Sequence, residues 1–74
     1  GASLKRERIE KIYGLIPKTD RAREEGISLS VFLSQIVWNI GLNENTSLKY
    51  LRHLENLGFI RVLRDLDKIE VLNR

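Results

Sequence analysis

Six residues of this sequence could do chemistry together: Asn45, Thr46, Lys49, Arg52, His53 and Asn56. On a helix turning about 100° per residue they share one arc, and that arc holds no acid. Ser47, Tyr50, Leu51, Leu54 and Leu57 fall opposite, with Glu44, Leu48 and Glu55 to the side. Such a set suits the edges of base pairs. Lys and Arg can donate to guanine O6 and N7 or to phosphate. Asn can pair with adenine through two hydrogen bonds, and a Thr methyl can touch the thymine methyl. An ordinary solvated helix face would show the same residue types.

Other chemistries find little support. The chain has one His and no Cys, which excludes disulfides and thiolate zinc sites. A single imidazole without clustered carboxylates cannot build a metal centre. His53 also lacks a nucleophile and an orienting partner, so neither catalysis nor a cofactor is expected. The net charge of +3 and a pI near 9.6 permit contact with nucleic acid without requiring it. No run approaches the roughly 18 apolar residues of a membrane span, and no signal peptide is visible. A secreted domain this small would usually be stapled by disulfides, so a cytoplasmic setting is expected.

Seventy-four residues make one domain at most. Gly1-Ala2-Ser3, in a chain without Met, reads as the remnant of a cleaved tag, which leaves 4–74 as the domain. The periodicity predicts a first helix over Leu4–Ile16, with Ile9, Ile12 and Ile16 on one stripe and Pro17 ending it. Thr19 or Asp20 can cap one short helical turn that Gly26 closes. Ile27 and Leu29 alternate with Ser28 and Ser30 as a brief extended piece. Ser30 is expected to cap a second helix, Val31–Ile40, that buries Leu33, Ile36, Val37 and Ile40. Gly41 suits the left-handed position after it. Asn43 can cap a third helix, Glu44–Leu57, ended by Gly58. Ile60 and Val62, then Ile69 and Val71, read as a hairpin that turns tightly at Asp65–Asp67. A hairpin alone is not stable, so it must lie on the helices, with Ile27–Leu29 as a candidate third strand.

The run "LSQIVWNIGLNENTSLKYLRHLENLGFIRV" resembles the winged helix-turn-helix of small prokaryotic regulators, the MarR and ArsR type, and their archaeal relatives. Gly41-Leu42, Leu51 and Leu54, Gly58 and Phe59-Ile60 carry the likeness. The resemblance implies a mainly α fold with a small antiparallel β-hairpin: three helices plus a wing. It also implies double-stranded DNA binding in transcription regulation, with the third helix in the major groove. By position, Asn45, Thr46, Lys49 and Tyr50 would approach bases or phosphates, with Arg52 and His53 beside them. Arg64 and Lys68 of the wing would touch backbone or minor groove. A lone domain of this size would bind weakly, so specificity would need a homodimer or a larger host protein.

Some residues point elsewhere. Trp38 falls with Val31, Ser34 and Gln35, opposite the apolar face of the second helix. Either the first helix or the chain ends cover it, or Val31 and Trp38 mark a dimer or partner surface. Glu44 and the acidic turn would also suit a protein–protein module within a larger assembly. Lys5, Arg6, Arg8 and Lys11 alternate with Glu7 and Glu10, as in ion pairs along a helix or flanking phosphate contacts. Arg61 and Arg64 divide between cross-strand pairing, as with Glu70, and phosphate contact.

Overall fold

The computed structural model describes residues 2–72, with side chains from Leu4 onward. Gly1 of the expected tag remnant, and Asn73 and Arg74 of the expected domain, lie outside the described residues. Helix α1 spans Ala2–Leu15, so it already includes Ala2 and Ser3. Pro17 disfavours the α conformation at Ile16, and the helix stops one residue earlier. Thr19 caps the short α2, Asp20–Glu25, by accepting the Ala22 N–H at 3.1 Å. Gly26 then turns the chain at φ 77° and ψ −174°, a region open essentially to glycine. A Cβ there would stand 2.8 Å from the Ile69 carbonyl oxygen, so the position excludes side chains twice over.

Strand β1 is only Ile27–Ser28, and α3, Leu29–Ile40, follows without a break. The expected start at Val31 under a Ser30 cap is therefore corrected. Ser28 occupies the cap and accepts the Val31 N–H at 3.4 Å. The earlier amides find partners far away in sequence. Leu29 N–H donates to the Asp67 carbonyl at 3.0 Å, and Ser30 N–H donates to Asp67 Oδ1 at 2.9 Å. Those acceptors let the helix begin two residues sooner. Gly41 is left-handed, as expected, at φ 82° and ψ 21°.

Helix α4 spans Glu44–Asn56 under Asn43, whose Oδ1 accepts the Thr46 N–H at 2.8 Å. Ser47 is fully buried, and its hydroxyl donates to the Asn43 carbonyl at 2.7 Å. Strands β2, Ile60–Leu63, and β3, Lys68–Val71, are joined by a 3-10 turn over Arg64–Leu66 and by Asp67 at φ 48°. The sheet order is β1-β3-β2, all antiparallel, so the candidate third strand does join the hairpin. Ile27, Ile69, Val62, Ile60 and Val71 share the face toward the helices. Ser28, Lys68, Leu63, Arg61 and Glu70 share the other. Val62 sits opposite Ile69 in a pair without mutual hydrogen bonds, so its N–H points away from β3. Glu55 of α4 accepts that N–H at 2.9 Å and ties helix to strand.

The core gathers Ile12 and Ile16 of α1, Phe32, Leu33 and Ile36 of α3, Leu51 and Leu54 of α4, and Ile60 and Ile69 of the sheet. Each such side chain contributes about 1.5–3 kcal/mol by burial. Tyr13 and Phe59 close one end edge-to-face, with ring centroids 4.9 Å apart. Two expected core residues lie outside it. Val37 is 40% exposed, because α3 turns Leu29 and Phe32 inward instead. Leu57 is 42% exposed, because α4 ends at Asn56. Among the described residues, no helix is long and apolar enough to cross a membrane. The layout of helices around a three-stranded antiparallel sheet is compatible with the winged-helix arrangement that the resemblance implies.

Candidate nucleic-acid interface

The buried line of Ser47, Leu51 and Leu54 fixes the roll of α4. Directly opposite that line stand Asn45, Lys49, Arg52 and Asn56, all exposed. They form a ridge at i, i+4, i+7 and i+11, and it carries two cations, two amides and no acid. Thr46 and His53 do not reach the crest. Both are half-buried on the flank toward α1, where His53 borders a groove with Lys5, Arg6, Ile9 and Glu10. Tyr50 is half-buried and packed against the core. The six-residue arc of the helical wheel is wider than the crest that three core contacts leave free.

The opposite flank of α4 faces the wing. There Arg52, Glu55 and Arg64 border one shallow groove with Leu48 and Val62. Arg64 is exposed on the 3-10 turn, so the fold brings a wing cation beside the ridge. Glu55 accepts the Val62 N–H, as described, and forms no ion pair with Arg52. Among the described residues the ion pairs are Arg6–Glu10 at 3.4 Å and Arg21–Glu25 at 2.9 Å. Lys49, Arg52 and Arg64 take part in neither, so three cations around α4 are available to an anion.

Of the two cations expected on the wing, Arg64 is exposed on the turn and Lys68 is half-buried at the start of β3. Lys68 lies on the face of the sheet away from the helices, with its stem against Gly26. Strand alternation explains this placement: Ile69 takes the core side, and its neighbour must take the other. Arg61 and Glu70 are register partners on that same outer face.

The acidic turn also differs from its sequence image. Asp65 is exposed, but Asp67 folds back onto the start of α3. Its Oδ2 accepts the Ser28 and Ser30 hydroxyls, each at 2.9 Å, while Oδ1 accepts the Ser30 N–H. Hydrogen bonds from the Ser28 hydroxyl first, then from the Ser30 hydroxyl and N–H, hold its carboxyl below the usual value of 3.8. Sequence reasoning missed this clamp and the Glu55 tie. The only hint was a Ser-x-Ser pair before a helix, and nothing local pointed to Asp67.

Trp38 is 87% exposed and Val31 57% exposed, so neither α1 nor the described chain ends cover them. They stand two turns apart on the outer ridge of α3. Compared with protein-family models, curated proteins and solved structures, the chain matches none.

Proposed function

We propose that this chain is a winged-helix domain that binds double-stranded DNA and serves transcription regulation from the cytoplasm, without catalysis. The observation that carries the reading is the acid-free, exposed crest of α4 with Arg64 standing beside it. A helix of 13 residues is about 20 Å long, and the major groove, about 12 Å wide, admits one. In the proposed docking, Lys49 and Arg52 grip phosphate or guanine, and Asn45 reads a base edge. Arg64 anchors the wing on the backbone, while Thr46, Tyr50 and His53 support the helix from its flank.

Neutralising about three phosphates would give a log–log salt slope of about −3. The test is an amide chemical-shift titration with a duplex of about 15 base pairs, repeated as salt is raised. Shifts centred on 45–56 and Arg64 that fade with salt are expected. Lys49→Ala should weaken binding and reduce the slope by about one unit. An unchanged affinity and slope in that variant would count against the docking.

The bare Trp38 favours a second reading, a winged-helix module that binds protein within a larger assembly. Binding that persists at high salt would select it over DNA.

A further inference from the structure

Helices α1 and α4 leave a surface groove of about 370 Å³ between them. Ile9 and Leu57 give it an apolar floor, and Leu57 is 42% exposed. Lys5, Arg6 and His53 line its sides, so that their apolar parts extend the floor while their polar ends stay wet. Glu10 is the single acid in the lining, and Arg6 matches it at 3.4 Å. Lys5 takes part in no ion pair among the described residues. Lys49 stands one turn before His53 on α4, is exposed and is equally unmatched. The groove is therefore apolar within and positive along both edges.

We propose that this groove seats an amphipathic helix of another protein, apolar on its inner face and carrying Asp or Glu on both flanks. A groove between two helices accepts a third through apolar anchors spaced i, i+3 or i+4, and i+7. Those anchors would cover Ile9 and Leu57. Carboxylates on one flank would meet Lys5, and those on the other would meet Lys49. The charges select an acidic helix over a basic one, and the floor selects a helix with anchors over a merely acidic chain. Other occupants satisfy half of the surface. The phosphates of a nucleic acid would meet the cations but leave Ile9 and Leu57 facing water. A flat lipid surface cannot follow a concave floor. The groove shares no residue with the ridge of Val31 and Trp38 on α3. This inference does not rest on DNA binding.

The test is an amide chemical-shift titration of the whole chain with two synthetic helical peptides of about 14 residues, or four turns. Both carry leucine at the anchor positions; one has Glu on its flanks and the other has Lys. The Glu peptide should shift residues 5–10 and 53–57 with a Kd of about 100 μM or below, and the Lys peptide should bind at least about tenfold more weakly. Leu57→Ala should weaken the Glu peptide about tenfold while leaving duplex affinity within about twofold. Lys5→Glu should weaken the Glu peptide about fivefold and strengthen the Lys peptide by about the same factor. Circular dichroism of each variant verifies that these exposed positions leave the fold intact. Equal affinity for the two peptides overturns the proposal, as does a Glu peptide indifferent to Leu57→Ala. An absence of shifts in these residues up to about 1 mM peptide also overturns it. Groove shifts that appear when the chain alone is concentrated overturn it in favour of a second copy. Groove shifts that appear only with duplex, and are lost in Lys5→Glu, overturn it in favour of nucleic acid.

Discussion

Helices α3 and α4 lie side by side in the chain, yet they begin in opposite ways. The start of α4 is built by its own neighbourhood: Asn43 accepts from Thr46, three residues on, and Ser47 returns a bond to Asn43. The start of α3 is built from a distance. Its amides and hydroxyls are bound by Asp67, which stands 37 to 39 residues later. The first arrangement can form in a short segment as the helix nucleates. The second exists only after the wing turn has closed on the helix. Wing and α3 therefore belong to one cooperative unit, whereas α4 carries its own beginning.

Four changes would break or sharpen that contrast. The largest effect is expected from Gly26→Ala, on the long-range side. It puts a Cβ where φ is positive and the Ile69 carbonyl is too close, and should cost about 3 kcal/mol in denaturant unfolding. A loss below about 1 kcal/mol would mean that the approach to β3 is slack. Asp67→Ala comes next: it removes every side-chain bond of the clamp and should lower the unfolding midpoint more than the loss of Asn43 does. Asp67→Asn, which tolerates a left-handed backbone and keeps an acceptor, should fall between wild type and Ala. Equal midpoints for Asp67→Ala and Asn43→Ala would erase the distinction. Asn43→Ala itself should cost about 1 kcal/mol, the usual worth of a local cap. Its extra amide exchange should be confined to the first turn of α4.

The smallest effect is expected from acid. Asp67 has a folded pKa below its ordinary 3.8, so its contribution is complete well above 3.8 and disappears as pH falls through the lower folded value. The Ser30 amide resonance should titrate with a midpoint below 3.8, while that of Thr46, held by a neutral amide, stays flat. A Ser30 midpoint at or above 3.8 would contradict the clamp.

The same contrast explains what could be read in the sequence. The α4 cap, the left-handed Gly41 and the buried arc of Ser47, Leu51 and Leu54 are local patterns with local causes, and all were legible. The Thr19 cap and the extended Ile27 were legible for the same reason. The start of α3 was misplaced because its partners are remote, and no spacing rule reaches Asp67 from Ser28. Of the candidate site, the crest Asn45, Lys49 and Arg52 follows from the wheel alone. The half-burial of Thr46, Tyr50 and His53 does not, because it depends on how α1 and the core pack against α4. The sheet face that Lys68 takes was not legible, because it depends on a strand register that sequence does not fix.

Glu55 has a consequence for how the chain behaves in a crowd. β2 is an outer strand, and outer strands offer unpaired amides as templates on which other chains extend a sheet. Here the outward amide of Val62 is already occupied by the protein's own carboxylate. The strand is only four residues long, and the opposite edge, β1, is only two. Fibrillar growth by edge addition thus finds little purchase on either side.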